Sequence, residues 1–194
     1  MQSSAVFLDR DGVINDVLSD RVTFVNQPKD FFLLPGVGEA IKQFNMLDYA
    51  VFVVTNQGGI GLGYMTEKDL TNVHQRMTEE LAIHGAVIDA VAYCPHKPHA
   101  GCACRKPHPT MIERLAKKYQ IDLPTSYMIG DRHVDMETGK KAGVTSILVG
   151  GREEDMRDAD MVFPDLSYVA TYLTGFQVRY KGKKASSARN ELKK

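Results

Sequence analysis

The sequence lacks several features that would assign a protein to a broad class at once. None of its apolar stretches approaches the ~20 residues that a membrane-spanning helix needs. No charged segment followed by a long apolar one marks a signal peptide, and there is no internal repeat. We therefore expect a cytoplasmic protein with one soluble domain, for which 194 residues, 43% of them hydrophobic, provide a sizeable core.

The chain also carries no net charge, because 24 basic residues balance 24 acidic ones. The charge is unevenly distributed. Residues 177–194 hold seven basic side chains against the single acid Glu191, and residues 1–176 carry the compensating negative charge. A basic tail can bind nucleic acid or an anionic surface, but a solvated end is the commoner outcome. We expect residues 1–176 to form the domain and residues 177–194 to form a disordered tail.

Short apolar runs alternate with amphipathic segments along the chain. Strands are predicted at residues 5–8, 49–54, 87–93, 126–129, 146–149 and 159–163. Helices are predicted after Pro35-Gly36, from the N-cap Thr66 to about His84, around residues 112–119, and before Gly143. This alternation predicts an α/β fold with a doubly wound parallel sheet.

The first predicted strand ends in two carboxylates, Asp9 and Asp11, which are one residue apart and precede a glycine. In parallel α/β sheets, ligands bind at the carboxyl ends of the strands. Two acids this close repel each other unless a cation or a proton lies between them, which indicates a magnesium ion or a shared acid/base function. A polar turn with Asp-Gly at its corner is the alternative interpretation.

Polar residues also follow other predicted strands. Thr55 precedes a glycine-rich segment whose N–H groups can surround an oxyanion, although an ordinary glycine-rich loop has the same composition. Arg105 and Lys106 follow a loop after the third strand, and Asp131 and Asp135 follow the fourth. Because these strand ends share one edge of the sheet, the residues together predict a site for a phosphate group and a magnesium ion.

All three cysteines fall within residues 94–104, a segment without a hydrophobic period. Three thiolates and one imidazole make a complete tetrahedral zinc set, and Cys-x-His with Cys-x-Cys can deliver two ligands from each end of a loop. A redox disulfide and a catalytic zinc are the alternatives, and His99 is an alternative ligand to His96. The sequence predicts structural zinc that fixes the Arg105-Lys106 pair, bound by Cys94, His96, Cys102 and Cys104.

With these motifs the chain resembles phosphatases of the haloacid dehalogenase (HAD) superfamily over residues 5 to about 150. The resemblance implies a capless, Rossmann-like HAD fold with a zinc-binding loop, magnesium and zinc as cofactors, and a small phosphorylated molecule as substrate. The motifs that carry it are Asp9-x-Asp11-Gly12, Thr55, Lys106, and Gly130-Asp131 with Asp135.

The resemblance implies a role for each motif residue. Asp9 would attack phosphorus and form an aspartyl phosphate, and Asp11 would protonate the leaving oxygen and then activate water. Magnesium would be held by Asp9, the backbone carbonyl of Asp11, and Asp131. Thr55 and Lys106 would stabilise the phosphoryl oxygens.

Asp135 would either orient Lys106 or contact the metal ligands without binding the metal itself. Besides Thr55 and Lys106, the expected substrate-binding residues are Asn15, Asp16, Asp20, Asn56, Gln57, Gly58, Arg105 and Arg132.

Within the superfamily, the chain resembles a small zinc-containing branch that includes D-glycero-D-manno-heptose 1,7-bisphosphate phosphatases and histidinol-phosphate phosphatases. The segments 9–15, 55–57, 94–96 and 104–109 carry this resemblance. Segments 24–28 and 64–67 favour the heptose group, with cleavage of the 7-phosphate. The five residues between His96 and Cys102, and glycine at position 58, favour the histidinol-phosphate group.

A hypothesis of a different class is a non-catalytic zinc module that binds nucleic acid or a protein partner through its basic tail. Acids at successive strand ends argue against it, and no aromatic stacking platform supports nucleic-acid binding. We expect neither membrane association nor nucleic-acid binding. Because short loops rather than a cap would form the pocket, we expect a compact monomer.

We predict that a chain truncated after Phe176 keeps the kcat/KM of the full-length protein, because every motif residue precedes position 150. Phosphate release by the two proteins on one substrate should agree within about twofold. A large loss of activity on truncation would show that the basic tail takes part in the reaction.

Overall fold

A computed structural model describes residues 3–151 and 155–175. Its centre is a six-stranded, entirely parallel sheet with the strand order β3-β2-β1-β4-β5-β6. The strands are β1 (Ala5–Leu8), β2 (Ala50–Asn56), β3 (Ala90–Cys94), β4 (Tyr127–Gly130), β5 (Thr145–Val149) and β6 (Met161–Phe163).

Helices connect the strands on both faces of the sheet. They are α1 (Val37–Met46), the single turn α2 (Gly58–Gly61), α3 (Glu67–Ile83), α4 (Thr110–Tyr119) and α5 (His133–Ala142). Residues 166–175 form a further helix, α6, in the described part of the chain. The doubly wound α/β fold without an inserted domain, as predicted from the sequence, is confirmed for these residues.

Alternate residues of the central strand β1 face two separate cores. Val6 and Leu8 pack with α1, α3 and α6 on one face of the sheet, whereas Ala5 and Phe7 pack with α4 and α5 on the other. All four side chains are fully buried. Burial on both faces explains why the strand appears in the sequence as a continuous apolar run.

The register brings the functional strand ends together. Leu8 pairs with Val53 on one side and with Ile129 on the other, so Asp9 leaves the sheet level with the ends of β2 and β4. The strand order reverses between β1 and β4, and such a switch point leaves a crevice at the carboxyl ends of the strands.

Several elements differ from the sequence prediction; the single turn α2, for example, forms in a segment expected to be a glycine-rich loop, and β6 begins at Met161 rather than at residue 159. The third strand begins at Ala90 rather than at residue 87, because the Asn45 side chain binds both the N–H and the carbonyl of Val87. Helix α6 was not predicted, although Leu166, Val169, Ala170 and Leu173 repeat with helical spacing and are buried.

The expected basic tail, residues 177–194, lies outside the described residues. None of the helices described has the combination of length and apolar composition that crossing a bilayer requires.

Candidate active site

A cavity of about 620 Å³ opens at the carboxyl ends of β1, β2 and β4. Its volume lies in the range of small-molecule binding sites. Of the catalytic and substrate-binding residues predicted from the sequence, those that line it are Asp9, Asp11, Thr55, Asn56, Arg105, Lys106 and Arg132.

The two oxygens of Asp9 have different surroundings. Oδ1 accepts hydrogen bonds from the Arg10 backbone N–H at 2.7 Å and lies 2.9 Å from Lys106 Nζ. Among the described residues, no hydrogen bond reaches Oδ2. The carboxylate is therefore fixed through one oxygen, while the other is free to react with or coordinate a ligand in the cavity.

Lys106 is buried, and its ammonium group contacts two carboxylates and one backbone carbonyl. Its Nζ atom lies 2.9 Å from Asp9 Oδ1, 2.6 Å from Asp135 Oδ1 and 2.9 Å from the carbonyl oxygen of Val54. Burial disfavours the charged form, but the Asp135 and Asp9 carboxylates outweigh it and raise the pKa of Lys106 to about 12. Of the two roles considered for Asp135, the contacts support orientation of Lys106.

Asn56 holds the backbone of Lys106. Its Oδ1 accepts from the Lys106 N–H at 3.0 Å, and its Nδ2 donates to the Lys106 carbonyl at 3.2 Å. Asn56 was expected from the sequence to bind substrate. In the structure it lines the cavity, but both ends of its amide are already engaged by Lys106.

Three carboxylates form a candidate cation site beside Lys106. Asp9, Asp131 and Asp135 each offer an oxygen within 4.8 Å of the others. Burial and the nearby Asp9 and Asp135 raise the pKa of Asp131 to about 7, and Asp131 Oδ1 is buried without a partner among the described residues. Clustered carboxylate oxygens with an unsatisfied member fit a hard divalent cation.

Asp11 is held by a different set of groups. Asn15 donates to its Oδ1 at 3.0 Å and Gln57 to its Oδ2 at 3.0 Å, while the Arg10 guanidinium bonds both oxygens. Burial favours the neutral acid, but Arg10 and the two amides hold the pKa of Asp11 below its usual range. Gln57 also donates to Thr55 Oγ1 at 2.8 Å, which leaves the threonine hydroxyl hydrogen free to point elsewhere.

The predicted zinc ligands converge in the loop after β3. Cys94 Sγ lies 3.5 Å from Cys102 Sγ and 3.3 Å from Cys104 Sγ, and His96 Nδ1 lies 3.3 Å from Cys104 Sγ. Ligands about 2.3 Å from a tetrahedral zinc ion are separated by similar distances. His99 is not part of this group and instead lines the cavity.

Arg105 connects this loop to the cavity, because its Nη1 donates to the His96 carbonyl at 3.2 Å. Gly58, at the start of α2, faces the same contact. A Cβ atom at position 58 would lie 3.4 Å from both Arg105 Nη1 and the His96 carbonyl. A Cβ atom at this position would therefore be in ordinary van der Waals contact with the arginine.

Several residues that were expected to bind substrate lie off the cavity. Asp16 forms an ion pair with Arg21 at 3.1 Å, and Asp20 is exposed. Asn15, Gln57 and Gly58 also do not line the cavity. Lining residues that were not named among the expected binding residues are Val17, Phe24, Pro98, Ala100, Gly101, Pro107, His108 and Val134. Phe24 belongs to the long loop after β1, but nothing in the sequence marks which residues of that loop turn inward.

Known proteins with similar sequences are phosphatases. The HAD-hydrolase-like family profile matches residues 103–174. A D-glycero-β-D-manno-heptose-1,7-bisphosphate 7-phosphatase of Bordetella bronchiseptica is 37% identical over 87% of this chain and 96% of its own length. The enzyme of the same name from Helicobacter pylori J99 is 41% identical over 76% of this chain and 83% of its own. The chain belongs to the HAD-like phosphatase family.

The family assignment extends to the fold. The crystal structure of the B. bronchiseptica heptose bisphosphate phosphatase, which contains magnesium and phosphate, is 35% identical in sequence. It superimposes with a TM-score of 0.81 over 89% of this chain and 98% of that one. As a member of the HAD-like phosphatases, the protein is a phosphoric monoester hydrolase, as the sequence motifs predict.

We predict that Asn56→Ala lowers kcat for phosphate release by about tenfold to hundredfold, because small displacements of Lys106 misplace its ammonium group. Asn45→Ala is a matched control, since Asn45 makes the same reciprocal amide contacts to Val87, which does not line the cavity. The control should lose comparable thermal stability and keep its kcat. Equal losses of kcat in both variants would contradict a positioning role for Asn56.

Proposed function

We propose that the protein is a magnesium-dependent phosphatase that removes the 7-phosphate of D-glycero-β-D-manno-heptose 1,7-bisphosphate. The observation that supports the substrate most directly is the 37–41% identity to enzymes of that name over 83–96% of their length. The cavity supports it independently, since a nucleophile, an acid/base group and cationic side chains face one space.

Asp9 is the nucleophile in this proposal. Its Oδ2 attacks phosphorus while the bond from phosphorus to the sugar oxygen breaks, and an aspartyl phosphate results. The contacts of Oδ1 with the Arg10 N–H and Lys106 hold the carboxylate in place for this attack. Water then attacks the same phosphorus atom, the bond between phosphorus and Asp9 Oδ2 breaks, and phosphate and the free Asp9 carboxylate result.

Lys106 and Thr55 offset the negative charge of the transferring group. The Lys106 ammonium lies directly beside the nucleophile, and the Thr55 hydroxyl lines the same cavity. Donors fixed before the reaction stabilise developing charge better than mobile water does. Asp135 and Asn56 hold Lys106 in this position from its two ends.

Asp11 transfers the protons. A phosphate dianion bound beside Asp11 raises its proton affinity, so that Asp11 can donate a proton to the leaving sugar oxygen; it later accepts one from the attacking water. The hydrogen bonds from Asn15 and Gln57 fix its carboxylate toward the cavity. These two residues therefore support the acid/base group rather than the substrate.

Magnesium fits the carboxylate cluster, where Asp9, Asp131 and the backbone carbonyl of Asp11 would hold it. When bound, it supplies positive charge that reduces repulsion between the Asp9 carboxylate and the incoming phosphate. The unpartnered Oδ1 of Asp131 and the raised pKa of this buried acid support the assignment.

Arg105 and Arg132 supply positive charge at the rim of the cavity. A bisphosphate places its second phosphate away from the reaction centre, where such cations can bind it. Histidinol phosphate, the alternative substrate, has one phosphate and a cationic amine. The short zinc loop and Gly58 favour this alternative.

We predict that purified protein with magnesium hydrolyses the heptose bisphosphate with a kcat/KM about tenfold to hundredfold above that for histidinol phosphate. This is the difference expected from one or two charge-assisted hydrogen bonds. Phosphate release on both substrates is measured beside Asp9→Asn, which should be inactive. A preference for histidinol phosphate would overturn the substrate, and activity in Asp9→Asn would overturn the nucleophile.

We also propose that structural zinc is bound by Cys94, His96, Cys102 and Cys104, and that it fixes the backbone of Arg105 and Lys106. The protein is further proposed to act as a monomer in the cytoplasm. The convergence of four ligand atoms at distances suited to one ion supports the zinc site.

We predict that Cys104→Ser reduces the bound zinc, measured by elemental analysis, and lowers kcat/KM by about tenfold to hundredfold. The loss follows because Arg105 and Lys106 come directly after the ligand. Wild-type protein should contain about one zinc per chain, a full set for one tetrahedral site. Full activity in protein without zinc would contradict the positioning role.

A further inference from the structure

Arg10 is a charged residue for whose side chain the proposed mechanism has no role. It is the largest fully buried side chain among the described residues, with 1% of its surface exposed. A buried guanidinium is costly unless its donors find partners. The turn after β1 does not need the side chain, because the Arg10 carbonyl already accepts from the N–H groups of Ile14 and Asn15.

The guanidinium instead forms hydrogen bonds to both oxygens of the Asp11 carboxylate. Nε donates to Oδ1 at 3.1 Å, and Nη2 donates to Oδ1 at 2.8 Å and to Oδ2 at 3.0 Å. A planar donor group that reaches both oxygens fixes the plane of a carboxylate as well as its position. The side chain of Asp11 keeps 25% of its surface exposed, and that exposed part lines the cavity.

His74, on the buried side of α3, holds the other end of the guanidinium. Its Nε2 lies 3.5 Å from Arg10 Nη1, and its ring packs edge-on against Tyr93 at 6.1 Å. Burial, and then the charge of Arg10, lower the pKa of His74 to about 4. The neutral ring can therefore accept a hydrogen bond from Arg10, and the contacts run from α3 through Arg10 to Asp11.

We propose that Arg10, anchored by His74, is a positioning residue that fixes the Asp11 carboxylate in the orientation from which it transfers protons to and from the substrate oxygen. The inference rests on the proposed function, in which Asp11 is the acid/base group. In the first step, the Asp9 Oδ2–phosphorus bond forms, the phosphorus–oxygen bond to the leaving group breaks, and the Asp11 proton moves to that leaving oxygen.

The leaving group distinguishes this role from a merely structural one. A sugar alkoxide is strongly basic and needs a proton as it leaves, whereas p-nitrophenolate is stable without one. A misoriented Asp11 therefore slows cleavage of the sugar phosphate much more than cleavage of p-nitrophenyl phosphate. A protein that is only partly folded loses activity toward both substrates by the same factor.

The test compares kcat/KM for heptose bisphosphate and for p-nitrophenyl phosphate in wild type, Arg10→Lys and Asp11→Asn. Lysine keeps the charge but lacks the planar fork. Arg10→Lys should lower the ratio of the two constants by about a hundredfold, in the direction of Asp11→Asn. Arg76→Met, which removes a half-exposed arginine from α3, should leave the ratio unchanged.

A second pair of variants keeps Arg10 in place and decides the question even when Arg10→Lys does not fold. His74→Phe removes the acceptor for Nη1 and should lower the ratio by about fivefold, the loss expected for one hydrogen bond. His74→Gln retains an acceptor and should restore most of the ratio. An unchanged ratio in both Arg10→Lys and His74→Phe would overturn the inference.

If the proposed function itself is wrong, the same measurements give a different result. If Asp11→Asn leaves the ratio of the two constants unchanged, Asp11 is not the acid. The positioning role proposed for Arg10 is then overturned as well. If Asp11→Asn lowers the ratio while folded Arg10→Lys loses equal activity on both substrates, the acid/base assignment stands and the positioning role of Arg10 is overturned.

Discussion

The mutual repulsion of three carboxylates is the constraint on which the rest of the site depends. Asp9, Asp131 and Asp135 converge within 4.8 Å, and one buried lysine contacts two of them. Burial, together with repulsion from Asp9 and Asp135 that one ammonium group cannot offset, raises the pKa of Asp131 to about 7. A bound divalent cation would neutralise the excess negative charge of the carboxylates, and a bound phosphate dianion would add negative charge again. The binding of metal and the binding of substrate are therefore coupled.

The backbone must allow such crowding. Gly12 adopts a left-handed conformation with φ of 85°, and a Cβ atom there would overlap the carboxylate of Asp131. The turn after β1 can therefore pass directly beside the end of β4. A side chain at position 12 would separate the carboxylates that must share a cation. The site therefore requires glycine after the acid pair.

Much of the fold could be predicted from the sequence, because every strand of the sheet's centre is apolar on both faces and polar at its carboxyl end. Asp9 and Asp131 were singled out for the same reason, because each directly follows such a strand. Helix α6 was missed although its apolar spacing was visible. The loop residues that face the cavity could not be predicted from the sequence. Whether Asp16 or Phe24 faces it depends on ion pairs and packing between distant segments.

Roles were harder to predict than locations. Asn15, Asn56 and Gln57 are polar residues near the motifs, and the sequence analysis assigned all three to the substrate. In the structure their amides contact Asp11 and the Lys106 backbone. An amide side chain carries no sequence signal that separates binding a ligand from supporting a neighbour, because both use the same donors and acceptors.

Asp9 and Asp11 show how one turn gives two identical side chains different chemistry. Asp9 has one oxygen fixed and one open beside Lys106, so it can approach phosphorus. Both oxygens of Asp11 accept hydrogen bonds from Arg10, Asn15 and Gln57, and these donors restrain it from attacking. Environment rather than residue type thus separates nucleophile from proton carrier. Arg10 connects the two acids, because its backbone N–H holds Asp9 while its guanidinium holds Asp11.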